Sequence, residues 1–143
     1  MIPKRVVLDT NVCLDLFVFH DPRWASLLLA LKAGEIEAVT REDCKMEWNI
    51  VLRYKHLPLD DETREKSIAL FDSLIACVAP EPRNEILLPR CRDRDDQKFL
   101  ELARDAHAGV LITKDKALLK LAKRTAKLGL FMITLPEAWK PPA

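Results

Sequence analysis

Apolar positions along the chain keep two alternating rhythms. Residues 6–8, 36–39, 110–113 and 131–134 form short apolar runs rich in β-branched side chains, which predicts buried strands. Residues 75–78 and 85–88 are weaker strand candidates around a connection that holds Pro80 and Pro82, with Pro89 just beyond. Between the runs, apolar residues recur three and four positions apart, the period of a helix with one buried face. Helices are expected over 10–19, 24–33, 41–54 and 60–74, from just after 93–96 to about His107, and over 115–127, with a short terminal helix over 136–139. Punctuation agrees with this division. Thr10-Asn11 and Thr40 suit N-caps, Pro22 suits a helix start, and Gly34, Gly109 and Gly129 suit helix stops.

Strands alternating with helices imply an α/β fold whose parallel sheet is covered on both faces. With 143 residues the chain can bury one sizeable core, so a single domain over 1–143 is expected. Ligand sites of open α/β sheets lie outside the carboxyl ends of the strands. Asp9 closes the first apolar run and Asp115 follows the 110–113 run, so both belong at that edge.

Three acids, Asp115 among them, share a helical face with apolar residues. From Glu47 the positions three, four and seven residues on are Ile50, Val51 and Tyr54; from Asp96 they are Phe99, Leu100 and Ala103; from Asp115 they are Leu118, Leu119 and Ala122. A carboxylate turned toward a core is costly unless it meets a cation or a hydrogen-bond donor. Each acid also has a structural explanation. Asp9, Asp96 and Asp115 can serve as caps or dipole partners, whereas Glu47 lies inside its helix and would need a salt bridge to Arg41 or Lys45. Asp93 can reach the same place from the preceding loop, while Asp95 shares a face with Lys98. Asp15 has apolar neighbours too, Val18 and Phe19, but reads as a surface or edge residue.

Composition narrows the chemistry. Hydrophobic residues make up 49% and charged residues 31%, as in ordinary globular proteins, and a net charge of +1 confines any polyanion contact to a local patch. Cys13, Cys44, Cys77 and Cys91 are too scattered for zinc-type pairs and read as reduced thiols, mostly packed, of a cytoplasmic protein. No stretch approaches the ~20 apolar residues that span a bilayer, so no membrane contact is expected. Three histidines and no HExxH motif disfavour a histidine metal site. Converging carboxylates suit the hard cations Mg²⁺ or Mn²⁺, which bind phosphate oxygens and acidify water.

Four segments together resemble the PIN domain family: Leu8-Asp9-Thr10-Asn11; the helix with Glu47 and Val51-Leu52; Asp93-Arg94-Asp95-Asp96-Gln97-Lys98-Phe99-Leu100; and Leu111-Ile112-Thr113-Lys114-Asp115-Lys116. The resemblance runs from about Val6 to Trp139 and is greatest to the toxin components of bacterial type II toxin–antitoxin systems. It implies a three-layer α/β/α fold with a central, mostly parallel sheet. It also implies a Mg²⁺- or Mn²⁺-dependent ribonuclease, with Asp9, Glu47, Asp96 and Asp115 as catalytic, metal-binding acids and Asp93 as a further ligand. Thr10, Asn11 and Thr113 would be supporting polar residues. Arg90, Arg92, Arg94, Lys114 and Lys116 would grip RNA. A homodimer held inactive by a cognate antitoxin is the implied assembly, for which the apolar stretch 24–31 offers a surface if it is not core. Two departures are Lys114, where a small residue is usual, and Trp48, which is bulkier than typical beside Glu47.

Rival classes fit less well. A phosphoacceptor receiver domain needs an acid pair after its first strand and an acceptor Asp after its third; here Asp9 stands alone and no acid ends the 75–78 run. A haloacid-dehalogenase motif needs Asp at the position of Asn11. The remaining alternative is a catalytically silent PIN-like module that binds RNA or protein.

Overall fold

The computed structural model describes residues 2–140. Five strands, β1 (Ile2–Leu8), β2 (Glu37–Thr40), β3 (Ile75–Cys77), β4 (Ala108–Ile112) and β5 (Met132–Thr134), form one sheet in the order β3-β2-β1-β4-β5. All four strand pairs are parallel. The chain winds from β1 outward through β2 to β3, then returns to the other side of β1 for β4 and β5. The winding therefore reverses between β1 and β4, where a crevice opens at the carboxyl ends of open α/β sheets.

Period-2 alternation in β1 divides the core. Val6 and Leu8 pack with α1 (Thr10–Phe17), α2 (Ala25–Lys32), α3 (Glu42–Val51) and α4 (Asp61–Leu74) through Leu16, Leu27, Trp48 and Phe71. Val7 points the other way, into a cluster with Phe99, Leu100 and Ala103 of α5 (Gln97–Asp105), Leu118 of α6 (Lys116–Leu119) and Phe131. Helices on both faces of a parallel sheet give the expected three layers. Among the described residues, no helix is long and apolar enough to cross a membrane.

Several boundaries differ from the sequence reading for identifiable reasons. Residues 85–88 form no strand; Arg104 donates to the Ile86 carbonyl at 3.0 Å and Asp105 accepts from the Arg83 amide at 2.9 Å. Buried Arg104 and Asp105 thus order this connection through side-chain hydrogen bonds in place of a ladder. The 115–127 helix is broken into α6 and α7 (Ala122–Lys127). Leu121 N bonds back only three residues to Leu118 O, and this tighter turn lets both leucines reach the core. His107, at φ +57°, provides the left-handed stop after α5, so Gly109 is free to lie within β4. Asp9, not Thr10 or Asn11, caps α1, and Thr40 ends β2 while Arg41 precedes α3 without a side-chain cap bond. The apolar stretch 24–31 is mainly core through Trp24, Leu27, Ala30 and Leu31, although Leu29 is 66% exposed. Three of the four free cysteines are buried, with Cys77 exposed.

Candidate functional site

Parallel register sets the first part of the site. Leu8 pairs with Ile112, so the chain leaves β1 and β4 side by side and brings Asp9 next to Thr113. The Asp9 amide donates to the Ile112 carbonyl at 3.0 Å, extending the ladder one step. Asp9 is 4% exposed. Its Oδ1 accepts from the Thr10 amide at 2.7 Å and its Oδ2 from the Thr113 hydroxyl at 2.7 Å. Burial nevertheless raises its pKa, against those two hydrogen bonds and with help from the charges of Glu47 and Asp115.

The remaining acids come from three further segments. Asp115 caps α6, accepting from Ala117 N at 3.2 Å, while its own amide donates to Thr113 Oγ1 at 3.0 Å. Asp93 caps a 3₁₀ turn, Arg94–Asp96, through Asp95 N. Asp96 stands before α5 but makes no side-chain cap bond, so capping does not account for it. Glu47 projects from α3, where neighbouring Trp48 is buried in the core, stacked on Phe71 with centroids 4.9 Å apart and edge-on to Phe17. Trp48 thus faces away from the acids and anchors the helix that presents Glu47.

All five sequence-selected acids meet in one cavity of about 350 Å³, lined by Asp9, Thr10, Asn11, Glu47, Val51, Tyr54, Asp93, Asp96 and Asp115. Val51 and Tyr54 belong to the helical face predicted from Glu47. Crowding has a direct electrostatic effect. Burial, a hydrogen bond shared with Asp115, and the charges of Asp9, Asp115 and Asp93 push the Asp96 pKa up to about 8. Asp96 therefore keeps a proton that an isolated carboxylate would lose.

Glu47 is stabilised differently from either sequence expectation. Its Oε1 accepts from Lys98 Nζ at 2.9 Å and its Oε2 accepts from the Thr10 hydroxyl. Arg41 instead engages Asp43 and Glu101, and Lys45 engages Asp72. The Lys98 partnership spans 51 residues and had no local signature. Asp15 proves buried, against its assignment to the surface. Lys114 Nζ lies 2.6 Å from its Oδ2, and Trp24 Nε1 donates to the same oxygen at 3.2 Å. Lys114 is thereby held away from the acids, whereas Lys116 is exposed beside Asp115. Arg90, Arg92 and Arg94 line a neighbouring cavity rather than the acidic one.

The donors present suit a hard cation: the carboxylates are joined in the lining by the Asn11 amide oxygen and the Thr10 hydroxyl, with the Thr113 hydroxyl behind Asp9. Among the described residues, no three His, Cys, Asp or Glu side chains make a closed ligand set.

Comparison with known proteins agrees with the architecture. A family model described as "PIN domain" matches residues 5–117. The crystal structure of VapBC2 from Rickettsia felis bound to a DNA fragment from their promoter superposes with a TM-score of 0.58 at 14% identity, covering 92% of this chain and 98% of that one. At that identity the likeness concerns the fold. A search among curated proteins finds no matching relative.

Proposed function

The chain belongs to the PIN domain family, and we propose that it is a Mg²⁺- or Mn²⁺-dependent endoribonuclease acting in the cytoplasm as the toxin of a type II toxin–antitoxin pair. One observation carries the catalytic part: five carboxylates from four segments line a single cavity at the switch point of the sheet. Membership of a family whose members are generally metal-dependent nucleases supports the same reading. The toxin assignment draws on the fold shared with a VapBC complex. A cognate antitoxin and a second copy of this chain are the proposed protein partners, and residues 1–143 the single nuclease domain.

In this reading Asp9, Asp96 and Asp115 are the principal metal-binding acids, with Glu47 and Asp93 completing the set. A divalent cation bound there would supply positive charge that neutralises phosphate oxygens and acidifies water. The protein's own contribution is to hold the acids ready. The Thr113 hydroxyl fixes Asp9 and, through the Asp115 amide, the start of α6. The Thr10 hydroxyl orients one oxygen of Glu47, and the Lys98 ammonium occupies the other. Burial and the neighbouring acids favour the protonated form of Asp96, a preference that a bound cation would oppose. Arg90, Arg92, Arg94 and Lys116 are the proposed substrate-binding cations.

Lys98 on Glu47 favours a second reading, a silent module that binds RNA or protein, because an ammonium already occupies one acid. RNA cleavage separates the two. We expect Mn²⁺-dependent cleavage of single-stranded RNA by the wild type and its loss in Asp9→Asn and Asp96→Asn, with the fold retained by circular dichroism. Undiminished cleavage by purified Asp96→Asn would overturn the site assignment. Absence of any cleavage or metal binding by the wild type would favour the silent module.

A further inference from the structure

Helix α3 and the turn that ends it send their side chains to two destinations. Cys44, Trp48 and Leu52, four residues apart, pack in the core and are at most 3% exposed. Glu47, Val51 and Tyr54, at spacings of four and three, line the acidic cavity instead. Glu47 belongs there with the other carboxylates. Val51 and Tyr54 are of another kind: they are the only apolar or aromatic members of that lining, and a hard cation held by carboxylates calls for neither.

The core does not use Tyr54 either. Its side chain is left 47% exposed, while Trp48 one turn earlier stacks on Phe71 inside. Its backbone is nevertheless fixed. The Tyr54 amide donates to the Val51 carbonyl at 3.0 Å, and its carbonyl accepts from the Leu57 amide at 3.2 Å, between buried Leu52 and Leu57. Arg64 Nε donates to the Leu52 carbonyl at 2.9 Å, which ties the turn to α4. Among the described residues the ring has one aromatic neighbour, His56, with centroids 5.8 Å apart and planes tilted by 39°. A partly exposed ring on a fixed turn therefore stands in the wall of the acidic cavity.

Resting on the nuclease reading, we infer that Tyr54 is a stacking platform for an unpaired base of the RNA, next to the phosphate that the acids address. Every nucleobase offers a π face, and aromatic side chains hold single strands by stacking on it. Val51 extends the apolar footing. The cavity, about 350 Å³, is at the small end of ligand sites and suits one nucleotide unit. A base in a duplex is already stacked and paired, so it reaches Tyr54 only by leaving the helix, at a cost. Tyr54 thereby selects single-stranded or looped RNA and discriminates little among sequences. Stacking is uncharged, so it is also a hold on the strand that the acids do not oppose. The ring's place within the lining of the acidic cavity, rather than on an outer helix face, favours a nucleotide over a protein partner.

Tyr54 is the only tyrosine of the chain, so its ring can be observed selectively. The probe is a short single-stranded oligoadenylate RNA, titrated in EDTA against protein labelled with ¹³C-tyrosine and followed by NMR, with affinities from fluorescence anisotropy. The ring protons of Tyr54 should shift upfield. Tyr54→Ala should lose about tenfold in affinity, the size of one base–aromatic stack. Tyr54→Phe should bind as the wild type does, whereas Tyr54→Leu, apolar but without a π face, should bind like Tyr54→Ala. An abasic strand of the same length should bind the wild type and Tyr54→Ala equally. An unmoved tyrosine signal overturns the platform, as does a Tyr54→Ala loss that is equal for the adenine and abasic strands. Unchanged RNA affinity in folded Tyr54→Ala, with a lower mass in sedimentation, also overturns it and assigns the ring to a protein contact. The nuclease reading fails on different evidence: cleavage indifferent to Asp96→Asn removes it, while an RNA-induced shift of Tyr54 stands.

Discussion

Thr113 Oγ1 donates to Asp9 Oδ2 at 2.7 Å, joining the residue after β1 to the residue after β4 across 104 positions of sequence. The same oxygen accepts from the Asp115 amide at 3.0 Å, so one hydroxyl coordinates the placement of two acids. Thr113→Val preserves shape but removes the donor, leaving a buried carboxylate less satisfied. The expected cost is about 1–3 kcal/mol in urea unfolding at neutral pH. Losing the hydrogen bond that opposes burial should also raise the Asp9 pKa further and weaken Mn²⁺ binding by calorimetry. A variant as stable as the wild type with unaltered Mn²⁺ affinity would show that the hydroxyl does not organise the site.

Asp96 gives a pH-dependent prediction in the absence of metal. Its folded-state pKa of about 8 lies above that of an unfolded carboxyl group. The folded state therefore binds the proton more tightly than the unfolded one. This stabilisation is complete below the unfolded value and is lost as pH rises through about 8. Asp96→Asn, which stays neutral, should melt higher than the wild type in EDTA, with a gap that widens from pH 5 to pH 9. Because the group is partly solvated, screening limits the effect to a few degrees, about what ~1 kcal/mol produces in a domain of this size. Saturating Mn²⁺ should stabilise the wild type more than the variant. A gap that narrows with rising pH would contradict the crowding.

Lys98 tests how Glu47 is held in the metal-free site. Burial lowers the Lys98 pKa, but the hydrogen bond and charge of Glu47 outweigh it and leave the ammonium above its usual value. The same ammonium donates to the Asp95 carbonyl at 2.8 Å. Lys98→Met should release Glu47 toward the cavity and strengthen Mn²⁺ binding by up to about tenfold, equivalent to ~1.4 kcal/mol. Weaker Mn²⁺ binding would mean that Lys98 positions Glu47 rather than competes for it.

The layout of the sheet was legible because each determinant is local. The β-branched runs, the helical stripes and Gly34 and Gly129, both at positive φ, are written within a few residues of where they act. Asp9, Glu47, Asp96 and Asp115 each stand out against their own helix or strand, Asp93 lies in a loop, and the fold brings the five together in one cavity. Long-range partners left no such trace. Lys98 meets Glu47 across 51 positions, and Arg104 orders residues 83–86 from about twenty positions away. The break after α6 depended on the depth of Leu118 and Leu121 in the core, which periodicity alone does not reveal. Asp15 reads as a surface or edge residue in the sequence because the cation that makes its burial tolerable lies 99 residues further along, at Lys114.

That pair supplies a test of what Lys114 is for. Asp15 Oδ2 takes its two donors from Lys114 Nζ and Trp24 Nε1, and its side chain is only 12% exposed against 37% for Lys114. Removing the cation leaves a largely buried charge with one neutral donor, a costly state. Lys114→Met should therefore lose about 1–3 kcal/mol of stability, less than for a fully buried pair because the ammonium is partly solvated. Asp15→Asn in the Lys114→Met background should recover much of the loss, giving a double-mutant coupling of about 1 kcal/mol or more. If Lys114 is a structural partner, RNA affinity in EDTA should barely change in the folded variant, unlike in Arg90→Ala/Arg92→Ala. Additive stability effects together with a flattened salt dependence would instead return Lys114 to the RNA-binding surface.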